Sequence, residues 1–342
     1  MARSASSPEH AEQRALRLSA QGLSRPLETV ASVARRMLGL QAQDLHQGRW
    51  ALAVRTVGAT RASVDAAFAS REVVRSWCMR GTLHVVPAED LPWLVRLLGP
   101  RNLARAAGRV RQLGIGERDV AASRAVVERA LSGAALSRAE LFTRLEAAGQ
   151  AVRGQRGVHL LFCLSQAGVL CQAGEGFVLA EEWIGRGRVV DGDEALFELA
   201  RRYHEGHGPA TSEDLAFWAG IGKRDARRAL DMAGAVEHSA APMPRAMLLP
   251  GYDEYMLGYA DRASCIDPRH AELVVPGGNG IYLPMVVLDG QIRATWRRHQ
   301  VKGREVIAVR PFEPLGRGWQ AALEQAAGAH SAYVGSVAEL QI

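Results

Sequence analysis

Lysine is nearly missing from this chain: of 42 basic residues only Lys223 and Lys302 are lysine, and the rest are arginine. A GC-rich genome alone produces such a bias, so the arginine count by itself does not establish a polyanion partner. Cysteine is equally sparse. Cys78, Cys163, Cys171 and Cys265 are widely scattered and form no C-x-x-C, which excludes a disulfide framework and a zinc ribbon and leaves reduced, buried thiols as the expectation. No apolar run approaches the roughly 20 residues needed to cross a bilayer, and Met1 to Glu9 is too polar for a signal peptide. A cytoplasmic protein with no membrane partner is expected.

What is present fits a globular protein. With 342 residues, 48% hydrophobic and 23% charged, the chain is long enough for two to three domains with substantial cores. The basic charge is unevenly placed. Residues 1–120 hold 18 arginines against 10 acidic residues, whereas the remainder is slightly acidic. Such asymmetry favours a polyanion partner for the N-terminal third over a merely solvated basic surface.

Within that third lies Leu40-Gln41-Ala42-Gln43-Asp44-Leu45, followed by His46, Arg49 and Trp50. Gln41 and Gln43 are neutral amides at i and i+2. They project to one side only if the segment is extended. Leu27, Val30, Val33, Ala34 and Leu38 recur at helical spacing before it, and Gly39 is where that helix should end.

Helical patterns over 10–23, 26–38 and 63–69 precede Val73 to Val86, a β-rich stretch with a turn at Gly81, which is the order of a winged helix. Pro87 starts a helix that Gly99-Pro100 should stop. Arg101, Arg105 and Arg109 then recur at i, i+4 and i+8, either a stripe for phosphates or a solvated linker helix. The order repeats over 117–190, where Ser137 and Glu140 stand at capping-box spacing before a helix and Val169 to Leu179 forms a hairpin. A third unit over 191–243 has helices at 196–203, 209–218 and 223–233, with only Ala235 to His238 to supply a wing. The reading is α+β, mainly α: three tandem helix-turn-helix units over 10–116, 117–190 and 191–243, and a C-terminal region, 244–342, of β-barrel or sheet with one helix. In that last region Asp289-Gly290 is a strong hairpin signal between apolar strands.

Four blocks in order carry a resemblance over about residues 10–340. They are Leu38 to Gln43; Ser76-Trp77-Cys78-Met79-Arg80-Gly81-Thr82-Leu83-His84; Gly208-Pro209-Ala210 to Trp218-Ala219-Gly220; and Leu249-Pro250-Gly251-Tyr252-Asp253-Glu254-Tyr255 to Arg262. The chain resembles the bacterial winged-helix DNA glycosylases that remove alkylated purines and unhook DNA interstrand crosslinks. The resemblance implies three winged helices gathered around a C-terminal β-barrel-like domain, a basic concave face for duplex DNA, and catalysis by Gln41 and Gln43. It places the chain nearer the Gln-apolar-Gln branch than the Gln-apolar-Asp branch, and Asp44 stands one step too late to serve as that aspartate.

Two amides can only hydrogen-bond, since glutamine accepts no proton usefully at neutral pH. An N7-alkylguanine or N3-alkyladenine already carries a positive charge and leaves as a neutral base, so no general acid is required. Holding a water near C1′ and presenting carbonyl dipoles to the developing sugar cation is within their reach. The expected activity is therefore a monofunctional DNA glycosylase for cationic alkylpurines, including bulky adducts or crosslinks, in DNA repair or self-resistance to a genotoxin.

Arg49, Arg71, Arg75, Arg80, Arg297 and Arg298, with the Arg101 stripe, are the candidate DNA contacts. His84 either contacts phosphate, orients the motif loop or is structural. Asp253, Glu254 and Asp261 lack a histidine at ligand spacing, and Asp253 and Glu254 are expected to brace the C-terminal region against the winged helices through arginines; no metal or cofactor is expected. The Leu288 to Gln291 tip either probes a groove or is simply exposed. A monomer acting on double-stranded DNA is expected. A non-catalytic winged-helix regulator is the alternative, although regulators usually gain a second reading head by dimerising.

Overall fold

The structure, a computed structural model, describes residues 8–342. Helix α1 (Pro8–Ala20) is followed by α2 (Val30–Met37), whose N-terminus is capped by the Thr29 hydroxyl accepting from Ser32 N at 3.0 Å. The helix ends one residue earlier than Gly39, at Leu38, which takes a left-handed φ of +57°. Gly39 answers a different need: a Cβ there would lie 2.0 Å from Met79 Cε. The chain then forms β1 (Leu40–Gln41), α3 (Leu45–Ala53), α4 (Arg61–Ala69), β2 (Val73–Trp77) and β3 (Leu83–Pro87). Asp44 starts α3 by accepting from His46 N at 2.7 Å and Gln47 N at 3.1 Å, so the apolar run at Trp50 belongs to a helix that composition alone did not reveal.

Helix α5 (Leu91–Gln112) runs straight through Gly99-Pro100, where a stop was expected. Proline removes one helical hydrogen bond and crowds the preceding turn. Packing offsets that cost here. Trp93, Leu94, Val95 and Leu98 are buried, and a Cβ on Gly99 would stand 2.7 Å from the Gln166 carbonyl of a crossing helix. The second unit comprises α6 (Glu117–Leu131), α7 (Arg138–Ala147), α8 (Arg156–Gln166), the hairpin β4 (Leu170–Ala173) and β5 (Gly176–Leu179), and α9 (Ala180–Ile184). Its Ser137–Glu140 capping box is formed, with both reciprocal bonds present.

The third unit has α10 (Gly192–His207), α11 (Ser212–Ala219) and α12 (Lys223–Ala233), but no strand lies between Ala233 and Ala246. The expected wing at Ala235 to His238 is therefore absent. A lone strand needs a partner, and the other two hairpins already pair with each other. Their strands make one antiparallel sheet in the order β1-β3-β2-β4-β5, joined where Arg75 opposes Gln172.

The C-terminal region adds β6 (Ala246–Leu249), α13 (Glu254–Leu257), α14 (Ala271–Val274), β7 (Met285–Leu288), β8 (Gln291–Val301), β9 (Arg304–Pro311), α15 (Gln320–Val334) and β10 (Glu339–Gln341). The sheet order is β10-β9-β8-β7-β6, an open sheet with an edge at each end, and not the barrel-like closure expected. Side-chain alternation explains why. Leu248, Val286, Leu288, Ala294 and Trp296 face one core shared with α2, α3, α4 and α15. Met247, Leu249, Met285, Val287 and Ile292 face another shared with α1 and α13. With both faces covered by helices, no interior remains to close around. The Asp289-Gly290 turn forms as expected with φ of +45° and +77°, and a second turn at Lys302-Gly303, unanticipated, takes +49° and +79°. No described helix is long and apolar enough to cross a membrane.

Candidate active site

The glutamine motif sits on the edge strand β1, where Leu40 opposes Val85 and Gln41 opposes His84. Ala42 N donates to the Leu83 carbonyl at 2.7 Å, extending the pairing by one residue. Ala42 is fully buried, and a Cβ on Gly48 would come within 2.5 Å of its methyl, so the motif's middle position has room only for a small side chain. Gln41 is buried; Gln43 is exposed, and its side chain makes no hydrogen bond to the described residues.

Two arginines of the first hairpin hold this loop. Arg80 Nη2 donates to Gln41 Oε1 at 3.0 Å, while Arg80 Nη1 reaches the carbonyls of Phe217 and Trp218 on α11. Arg75 donates to the carbonyls of Ala42 (2.7 Å) and Gln43 (2.9 Å) and to Gln172 Oε1 (2.7 Å). Burial, partly opposed by Glu175 and Asp44, lowers the Arg75 pKa to about 10, so the guanidinium stays charged at neutral pH.

Behind Gln41 lies Glu254, fully buried. Its Oε1 accepts from the Gln41 backbone N–H at 2.9 Å and its Oε2 from the Trp218 indole at 2.8 Å, with His207 Nε2 at 3.5 Å. Burial alone would raise its pKa. The contact with His207 and the charges of His207, His84 and Arg80 outweigh that and bring it to about 2, so the carboxylate is ionised. His84, also fully buried, is pushed by desolvation down to about 4; its Nδ1 lies 2.9 Å from the Thr82 carbonyl and its Nε2 has no hydrogen-bond partner among the described residues. The structure thus places His84 under the motif, where phosphate does not reach.

Around Arg80 the surface is aromatic. Its guanidinium lies 5.2 Å from the Phe217 ring, Arg262 lies 5.3 Å from the same ring and 5.5 Å from Tyr282, and Tyr282 neighbours Tyr252 at 5.9 Å. Phe217 is 37% exposed although large and apolar. An exposed ring between guanidinium groups offers a nucleobase a stacking face. Beyond His46 and Gln47, a cavity of about 330 Å³ opens against Arg61, Arg297, Arg298 and Tyr333.

The remaining candidates separate by what occupies them. Arg49 is buried and paired with Asp65 (2.7 Å) and Glu175 (2.9 Å). Arg101 is paired with Asp225 (2.9 Å), and Arg298 with Glu305 (2.9 Å). Arg105 and Arg109 are exposed and bond neutral partners, Gly220 O (2.9 Å) and Gln112 (2.7 Å). Arg71 is exposed over the Trp183 ring at 4.6 Å, and Arg297 is exposed. Asp253 does brace the C-terminal region through an arginine, Arg55, but Glu254 does not: its partners are an amide, an indole and a histidine. Asp261 accepts from Ala263 N at 2.9 Å. Among the described residues no group of three His, Cys, Asp or Glu is arranged to hold a metal.

The Asp289-Gly290 turn is packed against Arg14, so the exposed hairpin tip is Val301 to Arg304 instead. Sequence reasoning missed the roles of Glu254, Trp218, His207 and Phe217. The available signal was that Trp218 and Glu254 fall in two of the four blocks that carry the resemblance.

A protein-family model described as DNA glycosylase AlkZ-like matches residues 34–333. An interstrand DNA cross-link repair glycosylase of Streptomyces sahachiroi is 27% identical, over 92% of this chain and 93% of that one. The solved structure of Streptomyces sahachiroi DNA glycosylase AlkZ shares the fold, with a TM-score of 0.76 over the whole of both chains at 24% identity. With the glutamine pair and most of its supporting residues inside the matched region, the chain belongs to the AlkZ-like DNA glycosylase family.

Proposed function

We propose that the protein is a monofunctional glycosylase, acting as a monomer, that hydrolyses the N-glycosidic bond of cationic alkylated purines in double-stranded DNA. N7-alkylguanine and N3-alkyladenine are the substrate class, extending to bulky adducts and interstrand crosslinks. The observation that carries this reading is the company Gln43 keeps. It is an exposed amide whose side chain makes no hydrogen bond to the described residues, and the adjacent carboxylate, Asp44, is engaged in capping α3. Neither motif side chain can donate a proton as a general acid, which suits a leaving group already carrying positive charge. In the step envisaged, the C1′–N9 bond breaks with its electron pair neutralising the cationic base. A water bonds to C1′ and releases its proton to solvent. Crosslink unhooking is supported by the likeness to the Streptomyces sahachiroi interstrand DNA cross-link repair glycosylase. Family membership favours catalysis over the regulator alternative.

Exposed Arg71, Arg105, Arg109 and Arg297 are the proposed phosphate contacts. The test is base release from duplexes carrying N7-methylguanine, N3-methyladenine, a nitrogen-mustard crosslink or uracil. Release from the first three and none from uracil is expected. Gln41→Ala and Gln43→Ala should each slow release about 10²-fold with binding retained. Uracil excision, or tight binding of one undamaged sequence without any release, would overturn the reading.

A further inference from the structure

Resting on that reading of Gln41 and Gln43, we propose that Arg80 and Glu254 are positioning residues that give the two amides opposite roles. Gln41 is fixed as a hydrogen-bond donor to the substrate, and Gln43 supplies the accepting carbonyl for the water. The argument starts from what a guanidinium is able to do. Arginine has five N–H donors and no acceptor, so its 3.0 Å contact with the Gln41 amide admits only one of the two amide orientations. The carbonyl oxygen faces Arg80. The Nε2 group is turned the other way, and it makes no hydrogen bond to the described residues.

Arg80 is itself held from three sides. Its other terminal nitrogen is engaged by the carbonyls of Phe217 and Trp218, and its backbone is locked at a φ of +56°, which a side-chain-bearing residue adopts only when its surroundings impose it. A half-buried guanidinium is favoured by a nearby counter-charge, and the Glu254 carboxylate acts on it electrostatically. That carboxylate also grips the motif directly, through the Gln41 backbone N–H at 2.9 Å, and grips α11 through the Trp218 indole at 2.8 Å. Main chain and side chain of one glutamine are therefore set by two oppositely charged, mutually compensating groups, drawn from the first hairpin and from the C-terminal region. Gln43 has no such restraint on its side chain; only its carbonyl is held, by Arg75.

The chemical consequence is an ordered division of labour. A water attacking C1′ must keep its lone pair toward carbon and direct a hydrogen to an acceptor, which the free Gln43 amide is able to present. A fixed N–H donor at Gln41 suits an acceptor that gains electron density as the bond breaks, the edge of the departing purine.

The experiment measures single-turnover release from a duplex with one N7-methylguanine at saturating enzyme, with duplex affinity and melting temperature recorded in parallel. Gln41→Glu is the decisive variant. It keeps the length of the side chain and strengthens the contact with Arg80, but removes the donor, so its rate should fall as far as that of Gln41→Ala. Glu254→Gln and Arg80→Lys should slow release at least tenfold with duplex affinity within twofold of wild type, and Glu254→Asp should recover part of the loss. Combined with Gln41→Ala, Glu254→Gln should add no further slowing, because both act through one side chain. Should Glu254→Gln fail to fold, Arg80→Lys carries the same coupling test. A Gln41→Glu enzyme at the wild-type rate, or a Glu254→Gln effect that multiplies in full onto Gln41→Ala, overturns this division of roles while leaving the glutamine pair catalytic. Wild-type release by Gln41→Ala would overturn the underlying reading as well.

Discussion

Arg55 and Asp253 meet through two hydrogen bonds, Nη1 to Oδ2 at 2.9 Å and Nη2 to Oδ1 at 2.8 Å, with neither side chain exposed to solvent. The arginine lies two residues past the end of α3 and the aspartate directly precedes α13, so the pair ties the loop-bearing unit to the open sheet. The geometry is completed by Gln21 Oε1 and the Ala51 carbonyl on the arginine and by Tyr255 N on the aspartate. Removing one partner strands a buried charge. Asp253→Ala should therefore cost about 3–5 kcal/mol, whereas joint replacement by packed apolar residues, Arg55→Met with Asp253→Leu, should cost much less. Urea unfolding with an unchanged slope reads both. A single-variant cost below about 1 kcal/mol would show that the tie is not what holds the two parts.

Arg75 is the main-chain counterpart of Arg80. It spans the carbonyls of Ala42 and Gln43, and lysine, with one nitrogen, cannot reproduce that fork. Arg75→Lys should lower the rate of base release about 10-fold while duplex affinity changes little, since the guanidinium is turned inward onto the loop. Single-turnover kinetics beside a binding titration distinguishes this from a lost phosphate contact, which would weaken affinity and leave the saturated rate intact.

The buried histidines set an acid limit. His84 and His330 are both pushed by burial from an ordinary value of 6.5 to about 4. Between those values the unfolded chain binds more protons than the folded one, so stability is complete above about 6.5 and declines as pH falls toward 4. Glu254, at about 2, stays ionised throughout that window, and its own contribution is lost only below about 4.5, as pH falls toward 2. Melting temperature should thus fall steadily from pH 7 to pH 4.5, and His330→Phe, packed among Trp50, Trp296 and Tyr333, should flatten the decline. A melting temperature constant over that range would contradict the neutral buried state of both rings.

Local signals were legible where local physics decides. The Ser137 capping box, the Asp289-Gly290 turn and the hairpin at Leu170 to Leu179 all appear where residue type dictates them. Misreadings arose where distant packing overrode a local preference. Helix α5 passes Pro100 because α8 presses on Gly99, and Leu38 accepts a left-handed φ while Gly39 makes room for Met79. The glutamine motif was visible, but its environment was not. Glu254 stands 213 residues away from Gln41, and no spacing rule joins a backbone amide to a carboxylate at that separation. Likewise, arginine counting could not tell Arg49, engaged by two acids, from Arg297 at the surface.

That last contrast is testable. Each phosphate neutralised by a side chain releases condensed counterions, so log affinity falls with log salt with a slope of about −0.9 per contact. Arg297→Ala should weaken duplex binding at any sequence, reduce that slope by about 1 and leave the saturated rate of base release unchanged. Arg49→Ala should do the reverse. It separates Asp65 on α4 from Glu175 in the second hairpin, leaving two partly solvated carboxylates without their shared cation. The expected cost is about 1–2 kcal/mol of stability, between the values for exposed and for buried pairs, with the salt slope intact. Titrations at four salt concentrations, with a melting curve for each variant, separate a residue that touches DNA from one that holds two units of the protein together. If both variants lose slope equally, Arg49 must leave its two acids on binding, and its burial in the free protein describes a resting state only.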